Sequence, residues 1–221
     1  MPQKLGMIHT VTGLVPLFGE LCDELLPGIE RFIIVDEPVL KTALAIGHLT
    51  PALYLRMCSN VVFAAESGAD AILVTCSSAS PTVDVARKMV EVPVLKVDEP
   101  MIDKAISMGD RIGIVATAAT TLKPTTELME ERSRLAGREV RIEKVLCEGA
   151  YDALFAGDTE THDRIVLGYL KRMMERCDVV VLAQVSMART AEKIPESERT
   201  VPILSSPRLG MEKVREILRG L

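Results

Sequence analysis

Cys76 stands inside a hydroxyl-rich run, Thr75-Cys76-Ser77-Ser78-Ala79-Ser80-Pro81, directly after the apolar stretch Ala71-Ile72-Leu73-Val74. A thiol between a strand end and a helix start lies within reach of backbone N–H groups and the positive end of a helix. That environment lowers a thiol pKa, and the thiolate is the reactive form. The neighbouring hydroxyls are donors suited to a carboxylate, or to an oxyanion developing on one. The plain alternative is a small buried apolar residue. The other cysteines, Cys22, Cys58, Cys147 and Cys177, form no CxxC pair, and His9, His48 and His162 are scattered, so the spacings indicate no metal site. With neither GxGxxG nor GxxxxGK[ST] in the chain, no dinucleotide or nucleoside triphosphate site is signalled.

The elements that must position these residues alternate between short Val- and Ile-rich runs and helical segments, the pattern of an α/β protein with parallel strands. Strands are expected at Lys4–His9, Arg31–Val35, Ala71–Thr75, Val94–Val97, Arg111–Ala116, Val140–Val145, Val179–Ala183 and Ile203–Ser205. Thr161–Arg176 carries Ile165, Tyr169, Leu170 and Met173 at helical spacing, and Met57–Ser67 reads as a helix that Gly68 stops. Ser80-Pro81 reads as an N-cap followed by proline at the first helical position.

The chain repeats itself. Lys4-Leu5-Gly6-Met7-Ile8-His9-Thr10 aligns with Arg111-Ile112-Gly113-Ile114-Val115-Ala116-Thr117. Asp70-Ala71-Ile72-Leu73-Val74-Thr75-Cys76 aligns with Asp178-Val179-Val180-Val181-Leu182-Ala183-Gln184, and Val92-Pro93-Val94-Leu95 with Val201-Pro202-Ile203-Leu204. The offsets are close to half the chain, so one four-strand unit occurs twice. Residues 1–98 form a first lobe and 99–206 a second, with the boundary at the helix Glu99–Met108. Packing of a last helix, 207–219, on the first lobe stays open.

Composition bounds the class. The 221 residues are 48% hydrophobic and 26% charged, enough to bury a core in two lobes. A net charge of −5, 3% aromatic residues and no Trp argue against nucleic acid or an anionic membrane as partner. No apolar run approaches the roughly 20 residues of a membrane span. The odd cysteine count and an N-terminus without a secretory apolar region lead to an expectation of reduced thiols in the cytoplasm.

In open parallel sheets, ligands bind outside the carboxyl ends of the strands, and two such units facing each other would enclose a site. The strand ends offer His9-Thr10 and Cys76-Ser77-Ser78 in the first repeat, and Thr117 to Thr120 and Gln184-Val185-Ser186 in the second. By the repeat, Cys76 and Gln184 are equivalent. His9 reads either as a donor to a carboxylate and aid to proton transfer or as a structural residue. Asp36-Glu37-Pro38 reads first as a solvated turn and Arg189 as a surface residue. The remaining cysteines and the methionines read as core or surface, not chemistry.

These residues resemble the aspartate/glutamate racemase superfamily, which includes hydantoin racemases, maleate isomerase and arylmalonate decarboxylase. The duplication carries the resemblance, with Val74-Thr75-Cys76-Ser77-Ser78, Thr117-x-x-Thr120 after Gly113-Ile114-Val115, and Leu182-Ala183-Gln184-Val185-Ser186-Met187. The resemblance spans essentially the whole chain. It implies two pseudo-symmetric flavodoxin-like lobes, each a four-stranded parallel sheet with flanking helices, and an active site in the cleft between them. It implies chemistry without a cofactor at the carbon next to a carboxylate, a small carboxylate substrate, and a homo-oligomer. It also assigns substrate holding to Ser77, Ser78, Thr117 and Thr120, with His9, Thr10 and Ser186 at neighbouring contact positions.

Racemases of this family use one thiol per lobe. This chain has Cys76 but Gln184 at the second position, and an amide has no useful acid–base behaviour near neutral pH. Three readings stay open. The first is a cysteine-dependent racemase, epimerase or cis–trans isomerase in which Cys76 is proton donor/acceptor or nucleophile and Gln184 a hydrogen-bonding partner in catalysis. The second is a decarboxylase or other lyase, for which one thiol is enough. The third is a carboxylate-binding protein that has lost the reaction.

Overall fold

The computed structural model describes residues 2–221 and divides into two compact units, residues 2–99 with 207–221, and residues 100–206. In the first, β1 (Lys4–His9), β2 (Glu30–Val35), β3 (Ala71–Val74) and β4 (Val94–Lys96) form a parallel sheet in the order β2-β1-β3-β4. Helices α1 (Val15–Leu25), α2 (Glu37–Ile46), α3 (Pro51–Glu66) and α4 (Pro81–Ala86) lie between these strands in sequence. Helix α5 (Glu99–Met108) leads into the second unit. There β5 (Arg111–Ala116), β6 (Arg141–Leu146), β7 (Val179–Leu182) and β8 (Ile203–Leu204) form a second parallel sheet, β6-β5-β7-β8. Its helices are α6 (Ala119–Leu135), α7 (Ala150–Phe155), α8 (Thr159–Met174) and α9 (Ala188–Glu192), and α10 (Ser206–Gly220) ends the chain.

Both sheets therefore have one flavodoxin-like topology, and the expected α/β class with two four-stranded parallel sheets holds. The expected strands are all present with ends moved by one residue: β2 starts at Glu30, β3, β4, β7 and β8 each stop one residue before the expected end, and β6 runs Arg141–Leu146 rather than Val140–Val145. The central strands explain the sequence pattern. All four positions of β3 and of β7 are buried, which needs the continuous runs Ala-Ile-Leu-Val and Val-Val-Val-Leu. The edge strands β2 and β6 are largely exposed and carry Glu30, Arg31, Arg141, Glu143 and Lys144.

Two local devices occur in both halves. The Asp70 carboxylate accepts from the Lys4 backbone N–H at 2.7 Å, and Asp178 accepts from that of Arg111 at 2.8 Å, clamping the starts of neighbouring strands. Gly6 and Gly113 hold equivalent places in β1 and β5. A Cβ on Gly6 would lie 3.1 Å from the Phe32 ring and 3.3 Å from the Cβ atoms of Ala64 and Ala69, so the absent side chain is what lets α3 close on the sheet. Gly68, with φ +82°, ends that helix in the left-handed region as expected.

Helix α10 is amphipathic, with Met211, Val214 and Leu218 buried, and belongs to the first unit. Its Leu218 carbonyl accepts from Gln3 Nε2 at 2.6 Å, its Arg208 forks onto Glu24 at 2.6 and 2.9 Å, and Gly210 packs directly on Val97. Among the described residues, no helix is long and apolar enough to cross a membrane.

Replacing Gly6 by Val overpacks the α3–β1 contact and is expected to cost about 1–3 kcal/mol, read as a lower urea midpoint with an unchanged slope. An unchanged midpoint would show that the contact relaxes freely.

Candidate functional site

The strand order places a topological switch point between β1 and β3, since the chain runs to β2 on one side of β1 and to β3 on the other. Ile8 pairs with Val74 in register, so His9 and Thr10 leave β1 beside Thr75 and Cys76 leaving β3. The Thr75 hydroxyl lies 2.6 Å from His9 Nδ1 and donates to the Ile8 carbonyl at 3.1 Å. Its single proton being committed there, His9 Nδ1 is the donor and Nε2 the bare acceptor. Burial lowers the His9 pKa to about 4, so the ring is neutral near physiological pH.

Cys76 has extended backbone, φ −107° and ψ 108°, and opens a single tight turn, Ser77–Ala79, before α4. The Cys76 carbonyl accepts from Ala79 N–H at 3.0 Å, and that of Ser77 from Ser80 N–H at 3.3 Å. Burial pushes the Cys76 thiol upward, against hydrogen bonds from the Thr10 hydroxyl and the backbone N–H groups of Ala79 and Ser78, while the nearby Asp98 charge raises it further. This corrects the expectation of a lowered thiol pKa. The donors are in place, but α4 has only six residues and the dry surroundings outweigh them. The resting group is a thiol.

Ser80 does not cap α4 as expected, because its hydroxyl donates to the Asp98 carboxylate at 2.8 and 3.0 Å. Asp98 is 1% exposed, and burial raises its pKa to about 6. It lies two residues past the end of β4, at the same carboxyl end of the sheet as Cys76, and no motif or spacing in the sequence marks it. Two more polar atoms of this edge, His9 Nε2 and Ser77 Oγ, are buried without a hydrogen-bond partner among the described residues. Ser78 is buried beside them.

The second unit repeats the arrangement with different chemistry. Between the ends of β5 and β7, Gln184 Oε1 accepts from the Thr117 backbone N–H at 2.6 Å. The carbonyl end of the amide is thus committed to the fold and the NH₂ end remains. Thr117 Oγ1 is buried without a partner among the described residues, Thr120 is half-buried in the first turn of α6, and Ser186 is exposed. Cys147 follows β6, fully buried, and burial pushes its thiol to about 12. All five cysteines are free and buried.

Two buried carboxylates anchor the surrounding helices. Asp36, expected as a solvated turn residue, is 6% exposed and accepts from Arg56 Nε at 2.7 and 2.9 Å and Asn60 Nδ2 at 2.8 Å, tying the end of β2 to α3. Asp163 accepts from Lys193 at 2.5 Å, Thr190 at 2.6 Å and Arg189 at 3.1 Å, with His162 Nδ1 at 2.8 Å, and so fixes α9, the helix that follows the Gln184 turn. Arg189 is exposed, as expected, but committed to this pair. Nothing in the helical pattern of α8 marks Asp163 in advance.

Burial opposes ionisation of Asp163, yet the bonds from Lys193, Thr190 and His162 and the Arg189 charge hold its carboxyl far below the usual range. A depressed folded-state pKa gives stability that is present above the unfolded value of about 4 and lost as the pH falls through and below it. The melting temperature should therefore drop on acidification below about pH 4, and Asp163→Asn should flatten that drop while lowering stability at neutral pH. An unchanged acid limb in the variant would refute this account.

Comparison with known proteins places these sites in context. A family-wide sequence profile described as Asp/Glu/Hydantoin racemase matches residues 36–214. The fold is similar to that of a glutamate racemase from Bacillus anthracis, at 17% identity and TM-score 0.73 over 99% of this chain and 82% of that one. Allantoin racemase from Klebsiella pneumoniae gives 16% identity and TM-score 0.72 over 99% and 89%. Glutamate racemase from Francisella tularensis in complex with D-glutamate gives 13% and 0.76 over 99% and 81%. An uncharacterized protein of Schizosaccharomyces pombe is 31% identical over 91 residues, 41% of this chain and about a third (34%) of that protein's length.

Proposed function

The chain belongs to the Asp/Glu/hydantoin racemase family, and on that footing we propose a racemase-type isomerase that acts without a cofactor at the carbon next to a carboxylate of a small molecule. Cys76 is the group that exchanges the proton: its minor thiolate form removes the α-proton, and the thiol so formed returns one to the same carbon, inverting it only where the planar enediolate turns before it is reprotonated. The electron pair released by deprotonation moves onto the carboxylate as an enediolate, whose charge the hydroxyls of Ser77 and Ser78 are suited to hold. Thr10 steadies the sulfur.

The observations that carry this reading are two orphaned buried polar atoms at the ends of β1 and β3, Ser77 Oγ next to Cys76 in the chain and His9 Nε2 on the ring that packs against Phe18. Leaving a buried polar atom unpaired costs about 1–3 kcal/mol. A ligand with both an acceptor, for Ser77, and an N–H or O–H donor, for the neutral His9 nitrogen, offsets that cost. A small acid with an amino, amide or hydroxyl group on the reacting carbon has this pattern.

The strand ends of the second unit offer the Thr117, Thr120 and Ser186 hydroxyls to a polar ligand, and Gln184 a hydrogen-bond donor at its NH₂ end. Gln184 cannot act as the second acid or base. This favours one-sided proton delivery, and with it a second reading, decarboxylation of a substituted malonate-type acid by one thiol.

The test is a panel of 2-substituted acids, malonates and hydantoins incubated in D₂O, with label uptake, inversion and CO₂ release followed together. Cys76→Ala is expected to lower exchange by roughly 10²–10⁴-fold with the fold intact, and unchanged turnover would sink the assignment. Gln184 predicts no efficient interconversion of simple amino-acid enantiomers with label entering both; seeing it would refute the one-sided mechanism. Release of CO₂ from a malonate, with one deuteron delivered, would select the second reading. A ligand that raises the melting temperature yet exchanges no proton would mark a protein that only binds.

A further inference from the structure

Asp98 is buried in an unusual way for a carboxylate of this protein. Asp36 is paired with Arg56, and Asp163 with Arg189 and Lys193. The nearest cation in sequence to Asp98, the buried Lys96, turns its ammonium to Asp84 at 2.8 Å and to Glu99 at 3.8 Å instead. What holds the Asp98 carboxylate is the Ser80 hydroxyl, within bonding distance of both its oxygens, with help from its own backbone N–H. A buried charge without a hydrogen-bonded cation is costly for a fold. Ser80 is also the residue that closes the tight turn opened by Cys76, through its N–H to the Ser77 carbonyl.

We propose that Asp98 is a positioning residue for Cys76: by gripping Ser80 it holds the turn whose Ser78 and Ala79 backbone N–H groups bond the sulfur. The grip fixes donors that a three-residue turn would otherwise hold loosely. Its charge acts in the opposite sense, because a carboxylate near the sulfur disfavours the thiolate. Asp98 thereby keeps Cys76 in the protonated, proton-giving form and in one place. The groups acting on the Asp98 carboxyl are Ser80, Lys96 and Glu99; those acting on the sulfur are Thr10, the Ser78 and Ala79 N–H groups, and Asp98. The proposal rests on Cys76 as the working thiol but concerns the acidity of that thiol alone.

It is tested on the full chain by the ultraviolet absorbance of the thiolate against pH, taken as the difference from Cys76→Ala so that only this sulfur is read. In the range where the thiol titrates, Asp98 is ionised in the parent protein. Asp98→Asn removes the charge and leaves an amide for Ser80, so the Cys76 midpoint should move down, raising the thiolate fraction at a fixed pH roughly threefold to tenfold. Ser80→Ala breaks the grip and leaves the charge, so the midpoint should move up. Circular dichroism checks that each variant is folded, and a folded Ser80→Ala decides the matter alone if Asp98→Asn does not fold. Opposite shifts support the proposal. Midpoints unmoved in folded variants overturn it, as they would if Asp98 only braced the fold. Exchange activity surviving in Cys76→Ala would defeat the proposed function and leave this titration unaffected.

Discussion

The Cys76 sulfur is buried at the end of a central strand with a carboxylate, not a cation, as its charged neighbour. Every other feature of the first strand-end site answers to that constraint. A thiolate there can be supported only by neutral donors, and the structure supplies them at close quarters: a hydroxyl from the adjacent strand end and two backbone N–H groups from a turn of three residues. Neutral donors work only if they are already oriented, because each one is weak. The investment in fixing them is accordingly large, with Asp98 on Ser80 on one side and the His9–Thr75–Ile8 chain on the other.

The duplicated fold makes the asymmetry of the two sites legible. Thr10 and Thr117 hold equivalent places, as do Cys76 and Gln184. In the first unit the threonine meets the thiol through its hydroxyl; in the second its backbone N–H meets the amide carbonyl. The sheet order, the strand-start aspartates Asp70 and Asp178, and the strand glycines Gly6 and Gly113 were all kept. What differs lies past the carboxyl ends of the strands, where residues do not carry the core. Family membership and the solved folds fix the scaffold, and these few positions carry the chemistry.

Most of the scaffold could be read from the chain because parallel strands buried on both faces demand unbroken apolar runs, and because a repeat lets each half check the other. Boundaries moved by one residue since an apolar residue just past a strand, such as Val97 or Ala183, is buried whether or not it pairs. Less of the site was legible. Cys76 and its hydroxyls stood out by composition, but the net effect of dry surroundings on the thiol depends on how much protein lies above it, which spacing does not encode. Ser80 looked like a cap because Ser-Pro usually is one, and its partner lies 18 residues away. Asp36 looked like a turn residue until Arg56 and Asn60, one helix further on, came to meet it. Long-range polar pairing is where local pattern fails.

Helix α10 has a consequence for how the molecule comes into being. Because residues 207–221 complete the first unit, the second unit is an insertion within it, a continuous stretch whose own strands and helices are all translated earlier. A chain emerging from the ribosome can finish folding the inserted unit while the first still lacks the helix that covers Val97 and receives Gln3. The order of synthesis and the order of completion are therefore reversed, and the unit that carries Cys76 is the last to be sealed.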